Sequence, residues 1–288
     1  MTRYFGLSAA LAVVLLSGCE AGTTPPTATP KPESQRMKVE TAKATCMKQR
    51  GFRYVPWIPK LPDPSPQEVR AGNGDHLAML DQRQRYGFGI YSGYALPDNP
   101  DAGGRKFGVD SPNNRYTAKM SQTQAQAFVE AEDACFVKVA KDVLGKTVTS
   151  PGDFWDQYTR TREAVAAREL DGDTRLVELA QAYGDCMKAK GYPVASVRPS
   201  VIVTQARDQV QEQFFDLGAR QNGEPATEHE SDYGKSIPDL TPAEAAPYLA
   251  KEVRVALDDL SCGKSFFPLY FPQQRRIQGR ISAEFGLD

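Results

Sequence analysis

Apolar residues recur along much of the chain at intervals of three and four, the period of an amphipathic helix. Val203, Ala206, Val210, Phe214 and Leu217 form one such stripe and predict a helix over 201–217. Leu176, Leu179, Ala180, Tyr183 and Cys186 form another, opened by Asp173 and ended at Gly191. Ser150 and Pro151 can open a helix that runs to about Leu170, and Ile277, Ile281 and Phe285 mark a final one. Ser121 with Gln124, and Thr241 with Glu244, read as capping boxes that begin two more. Strand signals are few. FRYVPWIP at 52–59 and YPVASVRP at 192–199 could pair, though proline confines such segments to sheet edges. Residues 86–116, rich in Gly, Pro, Asn and Asp, read as a long loop, a kind of segment that often carries function. The expected fold class is mainly α, with minor β.

Two of these helices end alike, in CMKQRGF at 46–52 and CMKAKGY at 186–192. With Gly51 or Gly191 left-handed just past the helix, Met47 with Phe52 and Met187 with Tyr192 make the apolar pair of a Schellman cap. Lys48, Arg50, Lys188 and Lys190 then stand in the last turn, where cations suit the helix dipole. Further on, each ending is followed by a Tyr-Gly pair (Tyr86–Gly87, Tyr233–Gly234), a capping box, and a helix that reaches Cys135 or Cys262. Two pseudo-repeated helical halves are therefore expected, 37–150 and 151–288.

The longest apolar run stands at the start, in MTRYFGLSAALAVVLLSGC. One cation, Arg3, precedes a stretch from Phe5 to Leu16 that is shorter than the roughly 20 residues of a membrane-spanning helix and matches a signal peptide. Leu16-Ser17-Gly18-Cys19 resembles the lipobox of bacterial lipoproteins. That resemblance implies cleavage after residue 18, a thioether-linked diacylglycerol on Cys19 with palmitate-type acyl chains, and a mature chain of 288 − 18 = 270 residues. Two acyl chains hold a protein at a bilayer where one holds it only marginally. The expected location is the extracytoplasmic face of the cell membrane. Residues 19–36, EAGTTPPTATPKPESQR after the lipidated Cys, carry no aliphatic side chain larger than Ala and read as an extended tether of about 3.1 Å per residue.

Charge is nearly balanced, with 35 cations against 36 anions, and loss of Arg3 with the signal gives 34 − 36 = −2. Such a chain has no electrostatic footprint for nucleic acid. Setting Cys19 aside leaves Cys46, Cys135, Cys186 and Cys262, an even number in an exported chain, which argues for two disulfides. Zinc ligand pairs usually stand two to four residues apart, and these cysteines do not.

With its lipobox LSGC and repeated CMKxxG[FY] motif, the chain resembles a group of uncharacterised actinobacterial secreted lipoproteins that carry this helix end twice, each with a second Cys after it. The resemblance covers most of residues 36–270, implies an exported, disulfide-bonded body and brings no activity with it. If the halves are homologous, each closes its own bridge, Cys46 with Cys135 and Cys186 with Cys262; crossed pairing of Cys46 with Cys186 stays open.

Candidate chemistry is sparse. His76 and His229 are the only histidines, and EHESDY around His229 lacks the second His of a zincin. GFGIYSG at 87–93 misses both the dinucleotide spacing and the nucleophile elbow. Ser261 to Lys264 match SxxK, but SPN at 111–113 precedes the motif and no KTG exists. Asp98, Asp101 and Asp110, and Asp171 with Asp173, miss the EF-hand spacing and read as turn formers. No catalytic residue, metal or cofactor is expected. The leading binding feature is aromatic: Tyr54 and Trp57 after the first helix stop, and Tyr86, Phe88 and Tyr91 in the Gly-rich loop. Anchor, tether and body together point to a non-enzymatic binding or accessory module of the cell envelope, serving a membrane transporter, a sensor or a cell-wall component, and no nucleic acid. An envelope hydrolase or transferase built on carboxylates, and a purely structural envelope protein, are the rival readings.

Overall fold

The computed structural model describes residues 34–60, 63–102, 111–223 and 236–288. The signal segment, Cys19, most of the tether, Asp110, His229 and the Tyr233–Gly234 pair lie outside the described residues. Eleven helices and no strand occur among the described residues: α1 (Gln35–Gln49), α2 (Pro66–Gly72), α3 (His76–Tyr86), α4 (Ser92–Ala95), α5 (Pro112–Thr117), α6 (Gln122–Leu144), α7 (Pro151–Glu169), α8 (Thr174–Ala189), α9 (Pro199–Asn222), α10 (Pro242–Cys262) and α11 (Phe267–Glu284). None of them is long and apolar enough to cross a membrane.

Side chains at the helix starts set most of these boundaries. Ser34, Ser65, Asp75, Ser150 and Asp173 each accept a hydrogen bond from a backbone N–H of the turn they open. The full capping box forms at Ser121 and Thr241 as expected, and also at Ser65 with Glu68. Because Ser34 caps α1, the helix takes in Gln35 and Arg36, the last residues of the Pro/Thr-rich stretch.

The two CMK helix ends are built alike. Gly51 and Gly191 have φ of 83° and 87°. Phe52 N–H donates to Met47 O at 3.0 Å and Tyr192 N–H to Met187 O at 3.1 Å, with Gly51 N–H on Lys48 O and Gly191 N–H on Lys188 O inside them. This is the Schellman pattern at both sites.

Several expectations need correction. The helix expected over 201–217 runs over Pro199–Asn222. The final helix begins ten residues before Ile277 at Phe267, because Pro268 stands in its first turn, where a missing N–H costs nothing. The loop expected over 86–116 contains α4 and all but the last residue of α5. Neither extended segment becomes a strand, because side-chain amides satisfy their backbones. Val55 N–H donates to Asn113 Oδ1 at 2.9 Å, and Asn113 Nδ2 donates to Val55 O at 3.0 Å. In the second segment Ala195 N–H donates to Gln205 Oε1 at 2.8 Å, and Gln209 Nε2 donates to Pro193 O at 2.9 Å.

Two disulfides form, Cys46–Cys135 between α1 and α6 and Cys186–Cys262 between α8 and α10, with Cα separations of 5.6 and 5.5 Å. They close loops of 89 and 76 residues. Chain entropy alone gives roughly 4.5 kcal/mol for each. One turn before each bridge stands a polar rung. Lys43, three before Cys46, pairs with Glu132, three before Cys135, at 3.2 Å. Tyr183, three before Cys186, donates to Asp259, three before Cys262.

The main core joins Met79 and Ala140 to Phe154, Leu176, Ile202 and Ile281, so side chains from both 37–150 and 151–288 share it. A smaller cluster surrounds Cys46 and Cys135 with Met47 and Phe128, and a third holds Tyr91, Val210 and Phe214. Helix α10 is the hub, packed on α3, α4, α8 and α9.

A Cβ added at Gly51 or Gly191 meets nothing within 4 Å, so replacement tests backbone conformation alone. Gly51→Ala and Gly191→Ala should each destabilise by about 1 kcal/mol in urea unfolding with the disulfides intact, and by equal amounts.

Candidate functional site

Glu252, Ala256 and Asp259 succeed one another at intervals of four and three on a single buried face of α10. Both carboxylates belong to residues only 1% exposed. A charge so enclosed costs several kcal/mol unless partners meet it.

Asp259 is held from two helices. The Tyr183 hydroxyl on α8 and Arg83 Nη1 on α3 both donate to it. Arg83 also donates to Ala256 O at 2.8 Å, and its guanidinium lies 5.2 Å from the ring centres of both Phe88 and Phe267. Burial pushes the Asp259 carboxyl above the usual range, against the pull of the Arg83 charge. Burial, and then the neighbouring carboxylate, push the Tyr183 phenol far up.

Glu252 is held by backbone. The N–H groups of Phe88, Ile90 and Tyr91 donate to its carboxylate at 2.7, 2.9 and 2.9 Å. Gly87 and Gly89, with φ of 61° and 92°, turn the chain so that these amides converge into an anion-binding nest. A Cβ on Gly87 would come within 2.6 Å of Glu252 Cγ, so glycine is required there for space as well as conformation. Burial raises the Glu252 carboxyl, and the amides work against the rise.

Above Glu252 a solvent-open groove of about 280 Å³ lies between α9 and α10, close to the lower bound of about 300 Å³ for ligand sites. Tyr91, Tyr192 and Tyr248 supply its ring faces, with Tyr91 stacked on Tyr248 at 5.1 Å and edge-on to Phe214 at 5.3 Å. Burial, Tyr248 and the Glu252 charge push the Tyr91 phenol up to about 12. Tyr192 donates to Asp258 at 2.7 Å, and burial followed by that bond pushes its phenol up to about 12. Glu212, Gln213 and Asp216 on α9 also line the groove and are tied to no described residue. Its one cation, Lys251, stands 5.7 Å over the Tyr248 ring.

The expected aromatics do not converge. Tyr91 lines the groove, and Phe88 packs half-buried beneath Arg83. Tyr86 is half-buried at the end of α3, its oxygen accepting from Asn99 Nδ2 at 3.3 Å. Trp57 is half-buried in the extended segment after α1. Tyr54 lines a separate hollow of about 480 Å³ with Asn113 and Glu132, where its hydroxyl donates to Glu40 at 2.8 Å and Lys43 stands 4.6 Å over its ring. Burial first, then Glu40, push the Tyr54 phenol far up. His76 opens α3 away from the groove, with Nδ1 enclosed and without a partner among the described residues. Cys262 of the SxxK match is in a disulfide, Asp173 caps α8, and Asp171 binds Arg198 and Ser200. No group of three His, Cys, Asp or Glu side chains among the described residues could hold a metal. Sequence reasoning missed Tyr248, Gln213, Asp216 and Glu252; two acids of α10 at i and i+7, Glu252 and Asp259, on an otherwise apolar face were the available signal. No protein-family model, curated protein or solved structure matches the chain.

Removing one partner of a buried pair leaves the other charge alone, so Asp259→Ala should cost about 3–5 kcal/mol in urea unfolding. Alkali should also unfold the protein. The folded phenols of Tyr91 and Tyr192 titrate at about 12 against 10.0 for a free phenol. A raised pKa means the folded state keeps protons that the unfolded chain releases, so this stability is complete below pH 10 and lost as pH rises towards 12. Unfolding free energies measured across that window should fall, and flat values would contradict the assignment.

Proposed function

We propose that the chain is a lipid-anchored, extracytoplasmic binding module of the bacterial cell envelope, held at the membrane by diacylglycerol on Cys19, whose α9–α10 groove takes hydroxyl-rich, saccharide-like components of the cell wall. The groove carries the reading. Open acceptors on Glu212, Gln213 and Asp216 stand beside the rings of Tyr192 and Tyr248. Ring faces suit the C–H faces of a sugar, and carboxylates and amides suit its hydroxyls. The buried acid beneath is a poor candidate for acid–base catalysis, since its oxygens already accept three backbone amides. The lipobox LSGC and the Pro/Thr-rich tether support the anchor. Matching polar rungs, bridges and helix ends support two copies of one unit, 37–150 and 151–288.

Cys19→Ser should move the protein from the membrane to the soluble fraction and abolish palmitate labelling while leaving both disulfides closed on non-reducing gels. Membrane retention of that variant refutes the anchor. Calorimetric titration of the mature protein with N-acetylglucosamine oligosaccharides should show saturable binding, weakened about tenfold by Asp216→Asn. No saturation with any of these saccharides refutes the groove reading.

A further inference from the structure

A second hollow, of about 560 Å³, opens between α7, α9 and α11, well inside the roughly 300–1,000 Å³ range of ligand sites. Its apolar wall is formed by Leu170, Val201 and Ile277. Tyr270 closes one side. The residue is 1% exposed, with its ring stacked on Phe266 at 5.0 Å. Its hydroxyl makes no hydrogen bond with any described residue. The one enclosed side-chain polar atom without a partner among the described residues is His76 Nδ1, so the Tyr270 hydroxyl is not sealed in protein and faces the hollow. A buried polar group normally finds a partner. Here the partner has to come from what fills the hollow.

Donors stand among the groups around that hydroxyl. Burial pushes the Tyr270 phenol far up, which keeps its proton in place, and Arg162 is close enough to act on it electrostatically. Arg162 is exposed and has no ion-pair partner among the described residues. Asp171 is the acid near the phenol, and its oxygens are committed: Arg198 Nε and Nη2 donate to it at 3.1 and 2.9 Å, and Ser200 N–H and Oγ at 2.8 Å each. Glu163 lines the hollow from the exposed side of α7. Gln274, one turn after Tyr270 on α11, adds an amide to the same wall.

We propose that this hollow binds a small amphipathic carboxylate, its anionic head on the Tyr270 hydroxyl and the Arg162 guanidinium and its apolar body against Leu170, Val201 and Ile277. The hollow shares no lining residue with the α9–α10 groove and differs from it in chemistry. A charge-assisted hydrogen bond is stronger than a neutral one, and the apolar wall adds burial that a short acid such as acetate cannot use.

Octanoate is the probe, titrated calorimetrically into the mature chain with both disulfides closed. One saturable site is expected, with octylamine, of equal length and opposite charge, showing none. Tyr270→Phe keeps the ring and removes one oxygen, and should weaken octanoate binding about tenfold or more. Arg162→Gln, at an exposed position where the fold should be retained, should weaken it comparably and flatten its dependence on salt. Tyr248→Ala, in the other groove, should leave it unchanged. Absence of saturable octanoate binding, equal binding of octylamine, or undiminished affinity in a folded Tyr270→Phe or in Arg162→Gln overturns the proposal.

Discussion

Two carboxylates on the inner face of α10 have to be neutralised inside the protein, and that requirement fixes what surrounds them. Apolar contacts are non-directional and tolerate sliding, whereas a carboxylate accepts bonds only along its own lone pairs. Asp259 therefore sets the register of α10 against α3 through Arg83 and against α8 through Tyr183. Glu252, two turns earlier, draws the chain after α3 down onto the same helix by three amides. Arg83 cannot move without losing both Asp259 and its place between Phe88 and Phe267. The polar seam and the aromatic core are thus one arrangement.

Each disulfide reinforces one pair of packed helices, α1 with α6 and α8 with α10. Each bridge stands one turn beyond a polar rung between the same two helices, Lys43–Glu132 beside Cys46–Cys135 and Tyr183–Asp259 beside Cys186–Cys262. A covalent link limits the unfolded chain, while the rung next to it specifies how the folded helices face each other. Their burial differs. Glu132 keeps a third of its side chain exposed, while Asp259 is fully enclosed and needs a cation and a phenol together.

Much of this was legible where local chemistry decides the outcome. The Met–Gly–aromatic helix ends follow from one left-handed glycine, and the boxes at Ser121 and Thr241 from the spacing of two side chains. The parallel order of motifs favoured the disulfide partners that form, while crossed pairing of Cys46 with Cys186 stayed open until the helices were placed. What escaped depends on distant residues. FRYVPWIP has the composition of a strand, but its backbone partner is Asn113, 58 positions from Val55. The prolines at 268 and 272 resemble helix breakers, yet α11 contains both. GFGIYSG was readable as flexible from its glycines; only the arrival of Glu252, 161 to 164 residues away, makes it a rigid nest. The groove was illegible for the same reason, since its walls come from four separated stretches and Tyr91 alone of the expected aromatics lines it.

Each groove wall is nevertheless fixed by something the rest of the fold requires. The Schellman turn at Gly191 places Tyr192, and Asp258 holds its hydroxyl. Gln205 and Gln209 clamp residues 193–196 against α9, so the chain beyond the turn cannot swing away. Tyr91 is pinned from below by the Glu252 carboxylate and from the sides by Phe214 and Tyr248. A groove whose walls serve the fold is formed before any ligand arrives. Ordering a loop or side chain on binding costs about 0.5–1.5 kcal/mol for each group immobilised, and these walls avoid that cost. In the proposed binding role specificity would rest on the few unclamped groups of α9, the exposed Glu212 and Gln213 and the half-buried Asp216, none of which touches the carboxylates of α10.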